Sequence, residues 1–301
     1  MAHSSSEFDK FLEEEVKKIQ GIYVPVRAGL LRRMLIRKAR CTQLHPNPED
    51  EFCFPNIGPN GGIISRYGDE ISTRLMQGEA KVFDEPIMVQ KIRPDGYLIL
   101  NGHHRWAAAT MRKIPKVPIH IVDLTQIADL RSMYKKAKHD KRVALDLDEV
   151  VFCQEDQQEA AEKPLGFPFN RLYQEQVRLG IPALFLFFQN MGYDVWVYSR
   201  KLYSMDYIRN LFRHYHVQLT GIVTGTERKV SKAIRDRELL EKEFRKTYSV
   251  TIHADRKSLI RVDDRGRTFD EYEIGEGKTW SAEIMKIIRE IAENEKKSER
   301  D

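Results

Sequence analysis

Residues 96–109, GYLILNGHHRWAAA, decide the fold of the first half of the chain. GYLIL is an apolar run typical of a buried strand, NG is a tight-turn signal, and HHRWAAA contains good helix formers. The stretch predicts a strand, a sharp turn at Gly102, and a helix whose first turn contains His103, His104 and Arg105.

Basic side chains at the start of a helix oppose the helix dipole. An anion bound to the N–H groups at that end removes the conflict, because those groups and the basic side chains then attract it together. Asn101, Gly102, His103, His104 and Arg105 are therefore predicted to bind a phosphate group. The alternative interpretation is that the histidines cap the helix and the arginine pairs with a carboxylate.

Further elements lie on both sides of this stretch. Helices are predicted over 7–20, 27–41 and 64–76, with a loop rich in Pro, Asn and Gly between the last two. EPIMVQKI and GYLIL form a predicted hairpin through the turn RPDG, and KVPIHIVDL is one more predicted strand.

LHPNP at 44–48, the following helix, and the strands leading into NGHHR together resemble the ParB/sulfiredoxin-like domains. The resemblance covers roughly residues 40–123 and implies an α+β domain that binds ATP, ADP or CTP through Asn101–Arg105. One branch of this superfamily contains free-serine kinases, which typically have Asp-Gly-His-His-Arg where this chain has Asn101 first. Those kinases use a glutamate near the first strand as the base, and Glu49 or Glu51 would take that role here.

The second half alternates strands with helices, which is typical of a parallel α/β sheet. Its first strand, in VALDLDEVVF, ends with Asp146 and Asp148. Residues two apart in an extended segment face the same way, and ligands bind beyond the carboxyl ends of such strands. Two close carboxylates favour a cation between them, and their oxygen atoms suit Mg²⁺.

Polar residues also follow the later strands, in this order: Ser199, then Lys229 and Lys232, then Asp255, Asp263 and Asp264. The order resembles the haloacid dehalogenase (HAD) superfamily of phosphohydrolases over roughly residues 140–297. That resemblance implies a Rossmann-like fold, with Asp146 as nucleophile and Asp148 as general acid and base. Ser199 would bind phosphate, and Lys229 or Lys232 would stabilise both the nucleophile and the phosphate.

The same resemblance implies that Asp146 and Asp148 hold Mg²⁺ together with Asp255, or with Asp263 and Asp264. Glu149 and Val150 depart from the family pattern, which usually has Gly-Thr there. The insert over 153–190 is predicted to be mostly helical and too short for a large cap domain.

The sequence thus predicts a two-domain α/β protein. Its parts are a helical extension (1–40), a ParB/sulfiredoxin-like nucleotide-binding domain (41–124), a helical linker (125–141) and a HAD-like domain with a parallel sheet and a minimal cap (142–298). The main predicted function is Mg²⁺-dependent hydrolysis of phosphate monoesters, coupled to nucleotide binding. The alternatives are a small-molecule kinase using ATP or ADP, a nucleic-acid end-processing phosphatase, and a nucleotide-sensing binding protein.

Composition sets limits on partners and compartment. The net charge of +5 suits a phosphorylated small molecule or a nucleotide as partner. A basic run, Arg32, Arg33, Arg37, Lys38 and Arg40, raises nucleic acid as a partner, but a solvated helix face explains it as well and is favoured. Three cysteines match no disulfide or zinc framework, and no apolar run suggests a signal or a membrane span, so we expect a cytoplasmic protein.

Overall fold

The protein contains two compact units, one ending at Asp123 and the other beginning at Leu124. The computed structural model describes residues 7–33, 35–79, 81–154, 160–225, 242, 246–275 and 280–298. Each unit has its own sheet and its own apolar core. The prediction of a mixed α/β chain is confirmed, and each unit is described by itself below.

The first unit consists of helices α1 (Glu7–Ile19), α2 (Leu30–Arg33), α3 (Gly61–Met76) and α4 (His103–Met111), and strands β1 (Val24–Pro25), β2 (Arg37–Arg40), β3 (Leu44–His45), β4 (Ile87–Arg93), β5 (Tyr97–Asn101) and β6 (Lys116–Ile121). The strand order is β2-β6-β4-β5-β3, and β1 pairs with β4. The predicted hairpin of β4 and β5 is confirmed as an antiparallel pair. The turn after β5 therefore leads directly into α4.

The predicted helix over 27–41 is wrong. Only Leu30–Arg33 is helical, and Arg37–Arg40 is a strand that pairs antiparallel with β6. Ala39 is buried while the other three residues of β2 are exposed, so a single side chain of this edge strand faces the core. The described part of residues 1–40 therefore does not form a separate extension, because β1 and β2 belong to the sheet of the first unit.

The second unit consists of helices α5 (Ile127–Tyr134), α6 (Ile181–Asn190), α7 (Met205–His214) and α8 (Trp280–Ser298), and strands β7 (Lys141–Asp146), β8 (Tyr193–Tyr198), β9 (Gly221–Val223), β10 (Val250–Ala254), β11 (Ser258–Asp263) and β12 (Thr268–Glu273). The strand order is β12-β11-β10-β7-β8-β9. The four strands from β10 to β9 are mutually parallel. The predicted parallel sheet is therefore present over these four strands, whereas β11 and β12 at one edge are antiparallel to their neighbours.

The segment predicted as a linker belongs to the second unit. Leu130, Met133 and Tyr134 of α5 lie in the core of that unit, and the Tyr134 ring stacks on Trp196 with centroids 5.2 Å apart. The apolar face of α5 is buried in this way, so the helix cannot act as a free connector.

The insert predicted over 153–190 is helical mainly at its end, where α6 lies, rather than over most of its length. A single π-helical turn, Leu147–Val151, follows β7 directly. Among the described residues from 160 to 180, the helical structure is one 3-10 turn, Phe169–Arg171, and bridges join Phe152 to Val177 and Ala161 to Arg178. Lys229 and Lys232, and most of the long helix predicted to contain them, lie outside the described residues. In the part of the chain that is described, no helix is both long and apolar enough to cross a membrane.

Candidate functional site

The start of α4 is an uncapped helix end. Gly102 precedes the helix with φ of 99°, a left-handed conformation, and as glycine it has no side chain to accept a hydrogen bond from the first turn. Glycine adopts this conformation without steric cost, whereas other residues are strained there. The first N–H groups of a helix have no acceptor within the helix. This end of α4 therefore presents backbone donors and the positive end of the helix dipole.

A cavity of about 390 Å³ lies over this helix end. Its lining combines the turn itself with α3 and the loop before it: Asp50, Ile63, Arg66, Tyr67, Leu100, Asn101, Gly102, His103, His104 and Arg105. All five residues of the predicted phosphate-binding turn are thus brought together at one cavity. Its size falls in the range of small-molecule sites.

The two histidines hold the loop that precedes α3. His103 Nε2 accepts a hydrogen bond from the Asn47 N–H, and His104 Nε2 accepts one from the Asn60 N–H, both at 3.2 Å. The Phe52 ring stacks on His103 and lies edge-on to His104, with centroids 5.3 Å and 5.0 Å apart. Each ring thus uses its acceptor nitrogen on a loop N–H group, so neither histidine caps α4 through that nitrogen.

His104 is held in its neutral form. Burial lowers its pKa below the ordinary histidine value, although the charge of Asp50 acts in the opposite direction. The neutral ring is also the form that can accept from the Asn60 N–H, since a protonated ring has two donors and no acceptor. The loop contact and the burial therefore favour the same protonation state.

Arg105 lies behind the turn and supports it. Its guanidinium donates to the carbonyl oxygens of Glu85 and Pro86, at 2.8 Å and 3.3 Å, and to Asn101 Oδ1 at 3.4 Å. It also pairs with the Glu85 carboxylate at 3.4 Å, which agrees with the alternative prediction that this arginine pairs with a carboxylate. It is 7% exposed. A cation fixed beside the start of a helix adds positive potential there, so Arg105 favours an anion over Gly102 through its charge and through the position of the turn.

Arg66, Tyr67 and Asp50 are site residues that the sequence analysis missed. Arg66 is exposed on α3 at the cavity, with its guanidinium 5.6 Å from the Tyr67 ring centroid. Asp50 Oδ2 lies 3.6 Å from His103 Nδ1. The basic position and the aromatic residue beside it on the predicted helix were the available signals, but only folding places them over the turn.

Neither glutamate proposed as a kinase base lines the cavity. Glu49 is half-buried and Glu51 is exposed, whereas Asp50 between them is the acidic residue at the cavity. The Asn47 side chain accepts from the Glu49 N–H, and the Asp50 side chain accepts from the Phe52 N–H. These turns fix the loop so that the residue between the glutamates faces the site.

The second candidate site is the carboxyl end of β7. Asp146 Oδ1 accepts from the N–H groups of Asp148 and Glu149, at 2.7 Å and 2.9 Å. No described residue donates to its Oδ2. Burial raises the pKa of Asp146, and the nearby Asp148 charge raises it further, while Arg200 and Lys201 act to lower it. Asp146 thus presents one unshared carboxylate oxygen at this edge of the sheet.

Asp148 and Ser199 are brought together, but they bind each other. The Ser199 hydroxyl lies 2.9 Å from both Asp148 oxygens, and the Arg200 and Lys201 N–H groups also donate to Asp148 Oδ2. Ser199 is fully buried and Asp148 is 8% exposed. The predicted roles of Ser199 as a phosphate ligand and of Asp148 as an acid would both require these bonds to break.

The structure decides between the alternative acids. Ala254 pairs with Leu145, so Asp255 lies at the same edge as Asp146. Asp263 pairs with Val250 at the other end of β10, about 13 Å away at the usual rise of a strand. Asp263 and its neighbour Asp264 are therefore wrong as partners of Asp146, because β11 runs antiparallel. Asp263 instead binds the side chain of Arg267.

The cations at this edge differ from those predicted. Lys229 and Lys232 lie outside the described residues. Arg200 pairs with Glu149, and Arg256 donates to the Glu149 carbonyl oxygen at 2.6 Å. Arg200 and Lys201 are exposed and act electrostatically on Asp146. These residues follow β8 directly, which is the position where the sequence analysis singled out only Ser199.

A magnesium ion at this edge would need carboxylate oxygens that are not already hydrogen-bonded. Asp148 already accepts four contacts, and Asp255 accepts from the Lys257 and Ser258 N–H groups. Among the described residues, no group of three His, Cys, Asp or Glu side chains could hold a metal ion. Mg²⁺ commonly uses one or two carboxylates together with water and substrate phosphate. The described residues therefore do not assemble a magnesium site, because Asp146 Oδ2 is the one oxygen of these three carboxylates without a described donor.

Comparison with known proteins gives one domain match. The ParB N-terminal domain family matches residues 76–135, which run from the end of α3 through the Gly102 turn and α5. No curated protein matches the chain. Among solved structures, the C-terminally truncated chromosome-partitioning protein ParB from Caulobacter crescentus, complexed with CTP-γ-S, is 25% identical over 35% of this chain, with a TM-score of 0.24. The match spans 54% of that protein.

Proposed function

We propose that the first unit binds a nucleotide, with its phosphates over the start of α4. The observation that carries this proposal is the uncapped helix end at Gly102, which opens onto a cavity of about 390 Å³. The match of the ParB N-terminal domain to residues 76–135, which include this turn, supports the proposal. This proposal corresponds to the predicted alternative of a nucleotide-sensing binding protein, and binding of this kind involves no chemical step.

Each part of the cavity has a role in this proposal. The first-turn N–H groups and the dipole of α4 bind the phosphates. Arg66 adds a charged donor at the mouth, and Arg105 supports the turn from behind. Asp50 lines the same cavity and would repel phosphate, so we assign its carboxylate to a ribose hydroxyl or a base amino group of the ligand.

Isothermal titration calorimetry with CTP, ATP and ADP tests this proposal. We expect wild-type protein to bind at least one of them, and Arg66→Ala to weaken binding about tenfold through loss of a charge-assisted bond. Arg32→Ala is the matched control, because Arg32 is an exposed arginine of the same unit outside the cavity. Equal nucleotide affinity of Arg66→Ala and wild type would mean that the nucleotide binds outside this cavity.

A second candidate function is phosphate-monoester hydrolysis by the second unit. It is favoured by the unshared oxygen of Asp146 at the carboxyl end of a central parallel strand, next to Arg200 and Lys201. The sequence resemblance to the HAD superfamily implies the same nucleophile.

The step assigned to Asp146 is in-line attack on phosphorus. Its unshared oxygen forms a bond to phosphorus while the ester P–O bond breaks and the alcohol leaves with a proton from solvent. Water then hydrolyses the aspartyl phosphate to inorganic phosphate. Arg200 and Lys201 are placed to neutralise the phosphoryl oxygens, and the Asp148 and Glu149 N–H groups orient the nucleophile.

Release of phosphate from p-nitrophenyl phosphate, with and without Mg²⁺, tests this candidate. We expect Asp146→Asn to abolish turnover, because an amide is no nucleophile for phosphorus. Asp140→Asn is the matched control, since Asp140 precedes the same strand at its opposite end. Turnover should rise with pH above the ordinary carboxyl range, because burial raises the pKa of Asp146 and the ionised form attacks. Full activity in Asp146→Asn would reject the assignment.

A further inference from the structure

A row of aromatic rings leads away from the carboxyl edge of the second unit. It begins at Phe152, four residues after Asp148, and continues through Tyr203. The successive centroid distances are 6.0 Å for Phe152–Tyr203, 6.0 Å for Tyr203–Tyr207, 5.0 Å for Tyr207–Tyr173, 5.5 Å for Tyr173–His214 and 4.0 Å for His214–Phe169. We call these six residues the aromatic row.

Two segments build the aromatic row. Tyr207 and His214 lie on α7, and Tyr203 lies just before it. Phe169 and Tyr173 come from the segment between β7 and α6 and pack against that helix. The Tyr207 hydroxyl donates to Glu175 and accepts from the Gln174 N–H at 3.3 Å, which fixes the two segments together. Phe152 is buried, and Tyr203 and Tyr207 are half-buried, so packing explains that end.

Packing does not explain the far end. Phe169 is 38% exposed, and Phe167, two residues before it, is 74% exposed. The Arg171 guanidinium lies over the Phe167 ring at 5.3 Å from its centroid. An exposed aromatic ring leaves apolar surface in contact with water, which is unfavourable unless a partner covers it. An aromatic ring beside an arginine is also the combination that stacks a base and binds its phosphate.

The charge around the aromatic row has one predominant sign. Residues 163–175 and 200–216, which contain all but Phe152 of the row, include six lysines and arginines against two acids. Arg213 on α7 is exposed, as are Arg171, Arg200 and Lys201. A protein partner anchored by Phe167 would not require this excess, whereas a polyanion would.

We propose that the second unit binds single-stranded nucleic acid along the aromatic row. Its bases stack on Phe167 and Phe169, and its phosphates contact Arg171 and the basic residues of α7. The row then leads the strand toward Asp146. This last part, which makes a terminal phosphate the substrate, rests on the proposed phosphohydrolase function; binding along the row does not.

Fluorescence anisotropy of the full chain with a labelled oligothymidylate of about 12 nucleotides tests the proposal, a length within common site sizes. We expect the double variant Phe167→Ala/Phe169→Ala to bind about a hundredfold more weakly, because each of the two lost stacking contacts has an effect of about tenfold. Phe167→Tyr/Phe169→Tyr should restore binding. For wild type, raising the salt from about 50 to about 200 mM should weaken binding about tenfold.

Phe269→Ala is the matched control. Phe269 is 46% exposed in the same unit and lies under Arg261 at 4.7 Å, but it belongs to β12 at the far edge of the sheet. It should bind like wild type. No binding by wild type, or equal losses in the control and in the row variant, would overturn the proposal. Asp146→Asn separates the two hypotheses, because it should remove turnover and leave oligonucleotide binding unchanged.

Discussion

The hydroxyl of Ser199 and the carboxylate of Asp148 form a buried pair, with Oγ 2.9 Å from both carboxylate oxygens. The pair joins the turn after β7 to the loop after β8. Both residues were predicted to act on substrate, yet in the folded chain each is the principal side-chain partner described for the other. The carboxyl edge of the sheet is thus held together by groups that the sequence pattern assigns to chemistry.

The contribution of this pair to the free energy of unfolding can be measured by a double-mutant cycle. Ser199→Ala and Asp148→Asn should each lower the free energy of unfolding by about 1–3 kcal/mol, because a buried hydrogen bond to a charged group is lost. The double variant should lose less free energy of unfolding than the two single variants added together, because each single variant already removes the same interaction. Urea denaturation gives the three values.

Ser249→Ala is the control for that cycle. Its hydroxyl donates to Asp140 at 3.1 Å on the exposed surface, so the change should stay within about 0.5 kcal/mol. Strict additivity of Ser199→Ala and Asp148→Asn would show that the pair contributes nothing as a unit.

The pH dependence of nucleotide binding distinguishes two roles for His104. If the ring holds the loop through the Asn60 N–H, protonation removes its acceptor, and binding weakens as the pH falls through the pKa of His104, which burial places below the ordinary histidine value. The sign follows from the lowered pKa of His104: the unfolded chain binds the proton more readily, so this contribution to stability is complete above about pH 6.5 and is lost below it.

Titration calorimetry between about pH 5 and 8 gives the result. His104→Gln should show a weaker dependence, because its amide does not titrate in this range. Tighter binding at low pH in wild type, lost in His104→Gln, would instead identify the histidine as a direct phosphate ligand.

Gly102→Ala tests the uncapped helix end. The left-handed φ of 99° strains any other residue, and an added Cβ would lie 3.2 Å from Arg105 Nε, so we expect a loss of about 1–3 kcal/mol in stability and weaker nucleotide binding. Gly61→Ala is the control, because its φ is ordinary and nothing lies within 4 Å of its added Cβ. Thermal unfolding and calorimetry measure the two effects. Unchanged binding in a folded Gly102→Ala variant would contradict the role of the turn.

Gly221→Ala tests the packing of β9 in the second unit. A Cβ at this position would lie 2.0 Å from the Trp196 ring, which is fully buried. We expect a loss of about 1–3 kcal/mol or more in urea denaturation, because neither backbone nor ring can move freely in a dense core. Gly166→Ala has open space around its added Cβ and should be near neutral. Wild-type stability of Gly221→Ala would mean that this part of the core is loosely packed.

The sequence by itself determined the local elements whose signals are strong. The turn at Gly102 followed from the Asn-Gly pair, and the hairpin of β4 and β5 from its apolar runs around RPDG. The position of Asp146 at a strand end followed from the apolar run before it. Periodicity failed where an edge strand carries basic residues, as in β2, because charged side chains hide the period of the pattern.

Only the tertiary structure decided which side chains meet. Asp50, rather than Glu49 or Glu51, lines the first cavity because two side-chain turns fix the loop around it. Asp255 accompanies Asp146, and Asp263 does not, because β11 returns antiparallel. The direction of a strand and the exit of a loop depend on packing between distant segments. Spacing along the chain therefore predicted the residue types at each site but could not assign their partners.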